Sequence, residues 1–253
     1  MNRQAVNPYL PSWEYIPDGE PHVFNGRVYV YGSHDRFNAP IFCVNDYVCW
    51  SAPVEDLSEW RYEGVIYRKK QDPKNPLGYH LLFAPDVCQG PDGRYYLYYA
   101  FDFLGIMSVA VCDTPAGEYK FLGHIHYADG TLWGRRRGDQ LPFDPGVLLD
   151  DDGRVWLYSG FYNAVPAILT GGHKLRCDGG TVLELEKDMV TIKTEPRVIF
   201  PKKGPGAFQG HEFFEASSIR KEGKTYIFVY SSRHNHELCY ATSQSPDRDF
   251  SYG

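Results

Sequence analysis

The segment FDPGVLLDDDGRVWLYSG, residues 143–160, contains the pattern that decides the fold. An acid and a proline come first, an apolar stretch and an acidic turn with a glycine follow, and an alternating aromatic run ends it. Asp-Gly between apolar runs is a strong β-hairpin signal, because a two-residue type I′ turn needs positive φ. The segment therefore predicts two antiparallel strands with a carboxylate, Asp144, just ahead of the first.

The same pattern occurs four times along the chain. Each copy has a turn glycine, a basic residue, any residue, and then an aromatic, an aliphatic and a second aromatic residue. The turn glycines, spaced 67, 60 and 70 residues apart, are Gly26, Gly93, Gly153 and Gly223. This interval suits a four-stranded antiparallel sheet with generous loops, and radially repeated sheets of this size form a β-propeller.

The repeat also predicts how many blades the sequence holds. A fifth turn glycine would fall near residue ~289 if the array continued, but the sequence has 253 residues. Either four blades are closed by the N-terminal segment, or the chain stops before a fifth blade, and we favour the second alternative. We expect an all-β, five-bladed β-propeller with about four blades present, forming a single, C-terminally incomplete catalytic domain over residues 1–253.

A carboxylate precedes each turn glycine by seven to nine residues: Asp18, Asp86, Asp144 and Glu215. The first strand of each propeller blade lines the central channel, so we expect these acids to converge at one mouth of it. Like charges raise one another's pKa, which suits a site that needs one protonated and one ionised carboxyl. Glycoside hydrolysis is the commonest such chemistry. The alternative for any single Asp is ordinary turn chemistry before Pro or Gly.

The order and context of these motifs resemble glycoside hydrolase family 43. The motifs are Pro-Asp at 17–18, Ala-Pro-Asp at 84–86, Phe-Asp-Pro at 143–145 and Phe-Phe-Glu at 213–215. The resemblance runs from about residue 7 to the end of the sequence. It implies a five-bladed propeller with inverting β-xylosidase, α-L-arabinofuranosidase or arabinanase activity.

The resemblance also implies roles for individual residues. Asp18 corresponds to the general base, Glu215 to the general acid, and Asp144 to the residue that tunes and orients the acid. Asp86 corresponds to a pocket residue without a chemical step. Phe83 stands where the family often has Trp, and it can stack on a sugar ring.

The sequence departs from the family pattern at two places. Gly19 follows the expected base where Pro is usual, and Ala216-Ser217 follow the expected acid where Gly-Pro is common. The fifth blade, which often supplies a histidine near a central cation, is missing. The resemblance therefore implies no required cofactor and leaves room for a structural calcium in the central channel, with no residue of this chain assigned to it.

Several further residues are candidates for the site. Glu212 competes with Glu215 for the acid role but is out of register with the other acids. Trp13 is a candidate sugar platform near Asp18, and His211 is a candidate substrate contact. His236 shares a strand face with His234 and could contact sugar or a cation, although a zinc site would need more ligands nearby.

The composition of the chain bears on its partners, its location and the state of its cysteines. The net charge is −6 and the pI about 5.8, which argues against binding nucleic acid or an anionic membrane. No apolar run approaches the ~18–20 residues that span a bilayer. The first 15 residues lack the apolar core of a signal peptide, so a cytoplasmic location is expected unless an export signal preceded them. Six cysteines without a CxxC pair predict reduced, buried thiols.

The sequence thus predicts a hydrolase that removes terminal pentosyl residues, β-D-xylosyl or α-L-arabinofuranosyl, from oligosaccharides by inverting single displacement. Its base and acid carboxyls should lie ~6.5–9.5 Å apart, whereas ~5–5.5 Å would indicate retention. A non-catalytic carbohydrate-binding propeller is the main alternative, and a protein-interaction propeller is the third. The oligomeric state stays open.

Overall fold

The computed structural model describes residues 7–253 and contains four antiparallel sheets of four strands each. Consecutive strands pair within each sheet, so each sheet is one blade. Blade 1 comprises β1 (Glu20–Phe24), β2 (Arg27–Tyr31), β3 (Tyr47–Pro53) and β4 (Arg61–Tyr67), and blade 2 comprises β5 (Asp86–Gln89), β6 (Tyr95–Ala100), β7 (Met107–Cys112) and β8 (Lys120–His124). Blade 3 comprises β9 (Gly146–Leu149), β10 (Val155–Phe161), β11 (Gly179–Leu185) and β12 (Arg197–Pro201). Blade 4 comprises β13 (Phe213–Glu222), β14 (Thr225–Ser232), β15 (Leu238–Ser243) and β16 (Ser251–Tyr252). Within residues 7–253, a single 3₁₀ turn lies at Lys69–Gln71.

This arrangement confirms the all-β propeller prediction and fits four blades of a five-bladed array. Three apolar clusters join blade 1 to blade 2, blade 2 to blade 3 and blade 3 to blade 4. Tyrosines of the second strands recur at these joints. Tyr31, Tyr98 and Tyr158 each donate a hydroxyl hydrogen bond to a backbone carbonyl of the next blade. Strands β6 and β10 are buried on both faces because a blade packs on each side of them.

Blade 4 meets blade 1 differently, through polar contacts at the channel. Ser218 donates to Glu20 at 2.8 Å, and Arg220 binds Glu20 and the carbonyl of Pro21. A cavity of about 370 Å³ is lined by residues of both blades and by the segments that precede β5 and β9. The face of blade 4 that points away from blade 3 leaves Leu238 exposed, as expected of a face against which a further blade would pack.

The hairpin turns differ from one blade to the next. Asn25 and Gly26 have φ of 49° and 76° and form the expected two-residue turn of blade 1. In blade 4 the glycine comes first, in a Gly223-Lys224 turn between the paired residues Glu222 and Thr225. The Asp-Gly pairs of blades 2 and 3 lie in wider loops, at 90–94 and 150–154, so two-residue turns form in only two of the four hairpins.

The described residues contain no helix that is long and apolar enough to cross a bilayer. All six cysteines are free thiols, and five of them are buried. This agrees with the expectation of reduced core cysteines.

Candidate active site

A cavity of about 420 Å³ opens where the segments preceding β1, β5 and β9 meet the start of β13. Most of its wall is apolar and a few acidic groups point into it, which is the usual character of a small-molecule site. The residues that line it are Pro17, Asp18, Asp35, Phe42, Cys43, Phe83, Ala84, Phe103, Phe143, Asp144, Phe161, Phe214, Glu215 and His236.

Unusual backbone conformations occur at two of the three predicted catalytic acids and next to the third. Asp18 and Asp144 each lie two residues ahead of the first strand of a blade and have φ of 56° and 47°. Ala216, which follows Glu215, has φ of 64°. Asp tolerates the left-handed region better than most residues, but Ala pays about 1–2 kcal/mol there. Three such residues around one cavity are typical of a functional site.

The Asp18 carboxylate is held by a neighbouring hydroxyl. Ser33 Oγ donates a hydrogen bond to Asp18 Oδ2 at 2.9 Å. Burial raises the pKa of Asp18, the Ser33 hydrogen bond opposes that rise, and the charge of Asp35 adds to it. The Ser33 hydroxyl therefore favours the ionised form that a general base requires.

The Glu215 carboxyl lies in an environment that retains its proton. Burial, followed by the negative charge of Asp18, raises the pKa of Glu215 to about 7. His236 Nδ1 lies 3.7 Å from Glu215 Oε1, so this histidine lies beside the Glu215 carboxyl and also lines the cavity. A carboxyl with this pKa is protonated in about half of the molecules at neutral pH, as a general acid requires.

Asp144 connects the two sides of the site. Its Oδ2 accepts the backbone N–H of Ala216 at 3.0 Å, which fixes the chain next to Glu215. Burial raises the pKa of Asp144 well above its usual range, and the charges of Glu215 and Asp18 raise it further. The rise in the pKa of Glu215 comes from burial and Asp18, so the visible contribution of Asp144 is to position the acid.

Six phenylalanines line the cavity with the acids, and five of them form one cluster of rings. Phe143 is the central ring: it stacks on Phe103 with centroids 5.4 Å apart and lies 4.8 Å from Phe161. Phe83 packs edge-on against Phe143 at 5.7 Å, and Phe214 lies 5.3 Å from Phe161. This wall removes water from the carboxyls and offers apolar faces to a sugar ring. Phe83 is thus in the cavity, where the sequence placed it.

The structure does not bring Asp86 into the cavity. Its carboxylate is 0% exposed, lies 2.6 Å from His22 Nε2, and accepts the N–H groups of Val87 and Val147. Ala84, and not Asp86, occupies the lining position ahead of β5. Counting back from the turn glycine suggested otherwise, because Asp86 is itself the first residue of its strand. Asp86 ties three blades together and does not line the cavity.

Two other predicted contacts also lie outside the residues that line the cavity. Trp13 packs against Trp50 with ring centroids 5.9 Å apart. His211 Nδ1 lies 2.7 Å from Glu237 Oε2, and its ring stacks on Tyr252. Both side chains contact neighbouring residues instead of the cavity: Trp13 packs on the apolar ring of Trp50, and His211 pairs with Glu237.

Sequence reasoning missed the loop between β2 and β3. Asp35, Phe42 and Cys43 from this loop line the cavity, and Asp35 accepts the Cys43 N–H at 2.5 Å. The loop has no counterpart in the hairpin repeat, so no periodicity pointed to it. Phe143 and Phe214 could have been found, since each directly precedes a predicted catalytic acid.

Comparison with known proteins identifies the family. The family description "Glycosyl hydrolases family 43" matches residues 17–251, a range that includes all three acids of the cavity. The chain belongs to glycosyl hydrolase family 43. A "Xylosidase/arabinosidase" of Thermoclostridium stercorarium is 60% identical over 100% of this chain, which spans only 52% of that relative. A "Xylosidase/arabinosidase" of Bacteroides ovatus is 31% identical, with 96% of this chain and 78% of the relative covered.

Solved structures of family 43 share the fold. A β-xylosidase/α-arabinofuranosidase from a compost microbial metagenome, in complex with xylotriose, has a TM-score of 0.73 at 27% identity, covering 99% of this chain and 80% of that one. A family 43 enzyme of Xanthomonas citri complexed with xylose has a TM-score of 0.72 at 26% identity, covering 95% and 73%. The propeller is thus the architecture of the family, and this chain spans about half the length of the curated relative first described.

The central channel offers poor ligands for the calcium that the family resemblance suggested. Glu20, His22 and Asp86 bring potential ligand atoms together there. Calcium prefers oxygen ligands, whereas one of these donors is an imidazole nitrogen. The Glu20 carboxylate is bound by Arg220 and Ser218, and the Asp86 carboxylate by His22 and backbone N–H groups. These residues do not fit a calcium site.

Proposed function

We propose that this chain is the catalytic part of a glycosidase that removes terminal β-D-xylosyl or α-L-arabinofuranosyl residues from oligosaccharides. One observation carries the proposal: a Glu215 carboxyl with a pKa of about 7 shares an apolar cavity with the Asp18 carboxylate. The 60% identical relative is named for xylosidase and arabinosidase activity, which supports a pentosyl substrate.

In the proposed reaction Glu215 is protonated and Asp18 is ionised when substrate binds. Glu215 donates its proton to the glycosidic oxygen as the C1–oxygen bond breaks. Asp18 removes a proton from a water molecule whose oxygen attacks C1 from the opposite face, so the configuration at C1 inverts. The products are a free pentose and the shortened oligosaccharide. Proton exchange with solvent then returns Asp18 to the carboxylate and Glu215 to the acid.

The other cavity residues support this step. Asp144 holds the Ala216 N–H and so orients the backbone that carries Glu215. Phe83 and Phe143 offer apolar ring surfaces for the sugar. His236 lies beside Glu215 and at the edge of the cavity, where it can contact the substrate hydroxyls or the leaving group.

The test is hydrolysis of aryl β-D-xyloside and aryl α-L-arabinofuranoside by this chain and by a version extended through a fifth blade. Glu215→Gln is the matched variant in both lengths, because it keeps the shape of the side chain and removes the acid. The proposal expects cleavage that Glu215→Gln lowers by about 10²–10⁴-fold. If the folded, extended protein binds xylotriose but cleaves neither glycoside, the proposal fails and a carbohydrate-binding role replaces it.

A further inference from the structure

On blade 4, outside the cavity, three side chains bring metal-binding atoms together. His211 Nδ1 lies 2.7 Å from Glu237 Oε2. Cys239 Sγ lies 3.4 Å from the same oxygen and 4.0 Å from the His211 nitrogen. One nitrogen, one oxygen and one sulfur donor therefore face a common point, although His211 is 26 residues from Glu237 in the sequence.

The spacing of these atoms is close to that of a tetrahedral zinc site. With Zn–N and Zn–O of about 2.0 Å and Zn–S of about 2.3 Å, ligand atoms lie about 3.3–3.6 Å apart. The observed separations bracket this range, and the short nitrogen-to-oxygen distance is that of a hydrogen bond whose proton a cation would replace. Imidazole and thiolate donors favour zinc over magnesium or calcium.

The surroundings hold the donors in place and leave access from solvent. Cys239 is 3% exposed, whereas the His211 and Glu237 side chains are partly exposed. Ser232 Oγ donates to Glu237 Oε2 at 3.1 Å, and the Tyr252 ring stacks on the His211 ring at 4.5 Å. Outer contacts of this kind orient metal ligands, and the open side leaves a fourth position for water.

We propose that His211, Glu237 and Cys239 form a zinc site that fastens the segment preceding β13 to the end of the β14–β15 turn and to the start of β15. The site is separate from the proposed chemistry but adjoins it along the chain. Glu215 follows His211 by four residues, and His236 directly precedes Glu237. A bound zinc would thus restrain both chain segments that carry the proton donor and its histidine neighbour.

The test is calorimetric titration of the chelator-treated chain with Zn²⁺, together with substitution by Co²⁺. We expect one equivalent to bind and to raise the melting temperature. The cobalt form should show a thiolate-to-metal charge-transfer band. His211→Gln, Glu237→Gln and Cys239→Ser should each weaken zinc binding by more than about tenfold, and Cys239→Ser should abolish the charge-transfer band.

Two control variants separate this site from other donors. His234→Gln removes a histidine of the β14–β15 turn that supplies no ligand, and Cys112→Ser removes the partly exposed thiol of blade 2. Both should bind zinc like the parent chain. If Cys239→Ser folds poorly because the side chain is buried, Glu237→Gln still tests the site, since Glu237 is partly exposed. Absence of stoichiometric binding, or affinity unchanged in Glu237→Gln, would show that the three side chains form only a hydrogen-bonded cluster.

Discussion

At the scale of single residues, the three acids of the cavity differ in what surrounds each carboxyl. Asp18 receives a hydroxyl hydrogen bond from Ser33. Asp144 accepts a backbone N–H, and Glu215 faces phenylalanine rings and His236. Burial raises the pKa of all three acids, and a hydrogen bond opposes that rise at Asp18 and Asp144 but not at Glu215. Different surroundings of this kind are how one site performs acid and base chemistry at the same pH.

Ser33→Ala tests the environment of the base. The hydroxyl stabilises the charged carboxylate, so its removal raises the pKa of Asp18 and moves the acid limb of kcat/KM to higher pH. A hydrogen bond to a charged group is worth about 1.5–3 kcal/mol, so we expect about a tenfold loss at the acid end and little change at the plateau. Ser108→Ala is the matched control, because Ser108 is a buried serine without a hydrogen-bond partner. Equal pH profiles for the two variants would refute this role of Ser33.

Glu215→Gln tests the raised pKa of the acid through stability. The folded chain holds this proton up to a pKa of about 7, against 4.5 for an ordinary Glu. Folded protein therefore binds more protons than unfolded protein between these values, and the free energy of unfolding contributed by Glu215 falls as the pH rises through them. Gln carries no charge, so we expect Glu215→Gln to be more stable than the parent at pH 8 by about 1–3 kcal/mol.

The same comparison at pH 4 supplies the control. At this pH the Glu215 carboxyl is mostly protonated in the folded and in the unfolded chain, so Glu215→Gln and the parent should have similar free energies of unfolding. Urea denaturation at the two pH values measures the difference. A stabilisation that is the same at both pH values would mean that the charge of Glu215 is not penalised in the folded chain.

At the scale of strands and turns, counting from the turn glycine located the hairpins but not the register of every strand. In blade 1 the glycine is the second turn residue, and in blade 4 it is the first. Tyr226 therefore faces blade 3, where its hydroxyl binds Asp150, whereas Tyr29 faces blade 2. A shift of one residue moves a side chain to the other face of a sheet, and glycine position alone cannot reveal it.

Asp86→Asn tests the corrected position of Asp86 at the start of β5. The carboxylate accepts N–H groups from Val87 and Val147, and an amide cannot accept on both sides. We expect the variant to lose about 1–3 kcal/mol of stability with an unchanged KM. Asp92→Asn, on an exposed hairpin loop, is the control. A raised KM at unchanged melting temperature would instead return Asp86 to the substrate site.

At the scale of the whole molecule, the period of the repeat was enough to predict the propeller, because each hairpin must bury its aromatic face against the next blade. The same repeat brought Asp18, Asp144 and Glu215 together, since equivalent positions converge on the channel. It could not place Asp35 or Cys43, because the loop between β2 and β3 lies outside the repeated hairpin segment. Nor could the repeat predict that His211 lies close to Cys239, because this contact depends on how the strands of blade 4 pair with one another.

The most direct measurement uses proton NMR to determine the anomeric configuration of the first xylose released from an aryl β-D-xyloside. The assignment of Asp18 as base and Glu215 as acid predicts α-xylose as the first product. It also predicts that Glu215→Gln still cleaves a dinitrophenyl xyloside, whose leaving group needs no proton, while Asp18→Asn does not. Release of β-xylose first, or cleavage of the dinitrophenyl substrate by Asp18→Asn at the parent rate, would contradict the assignment.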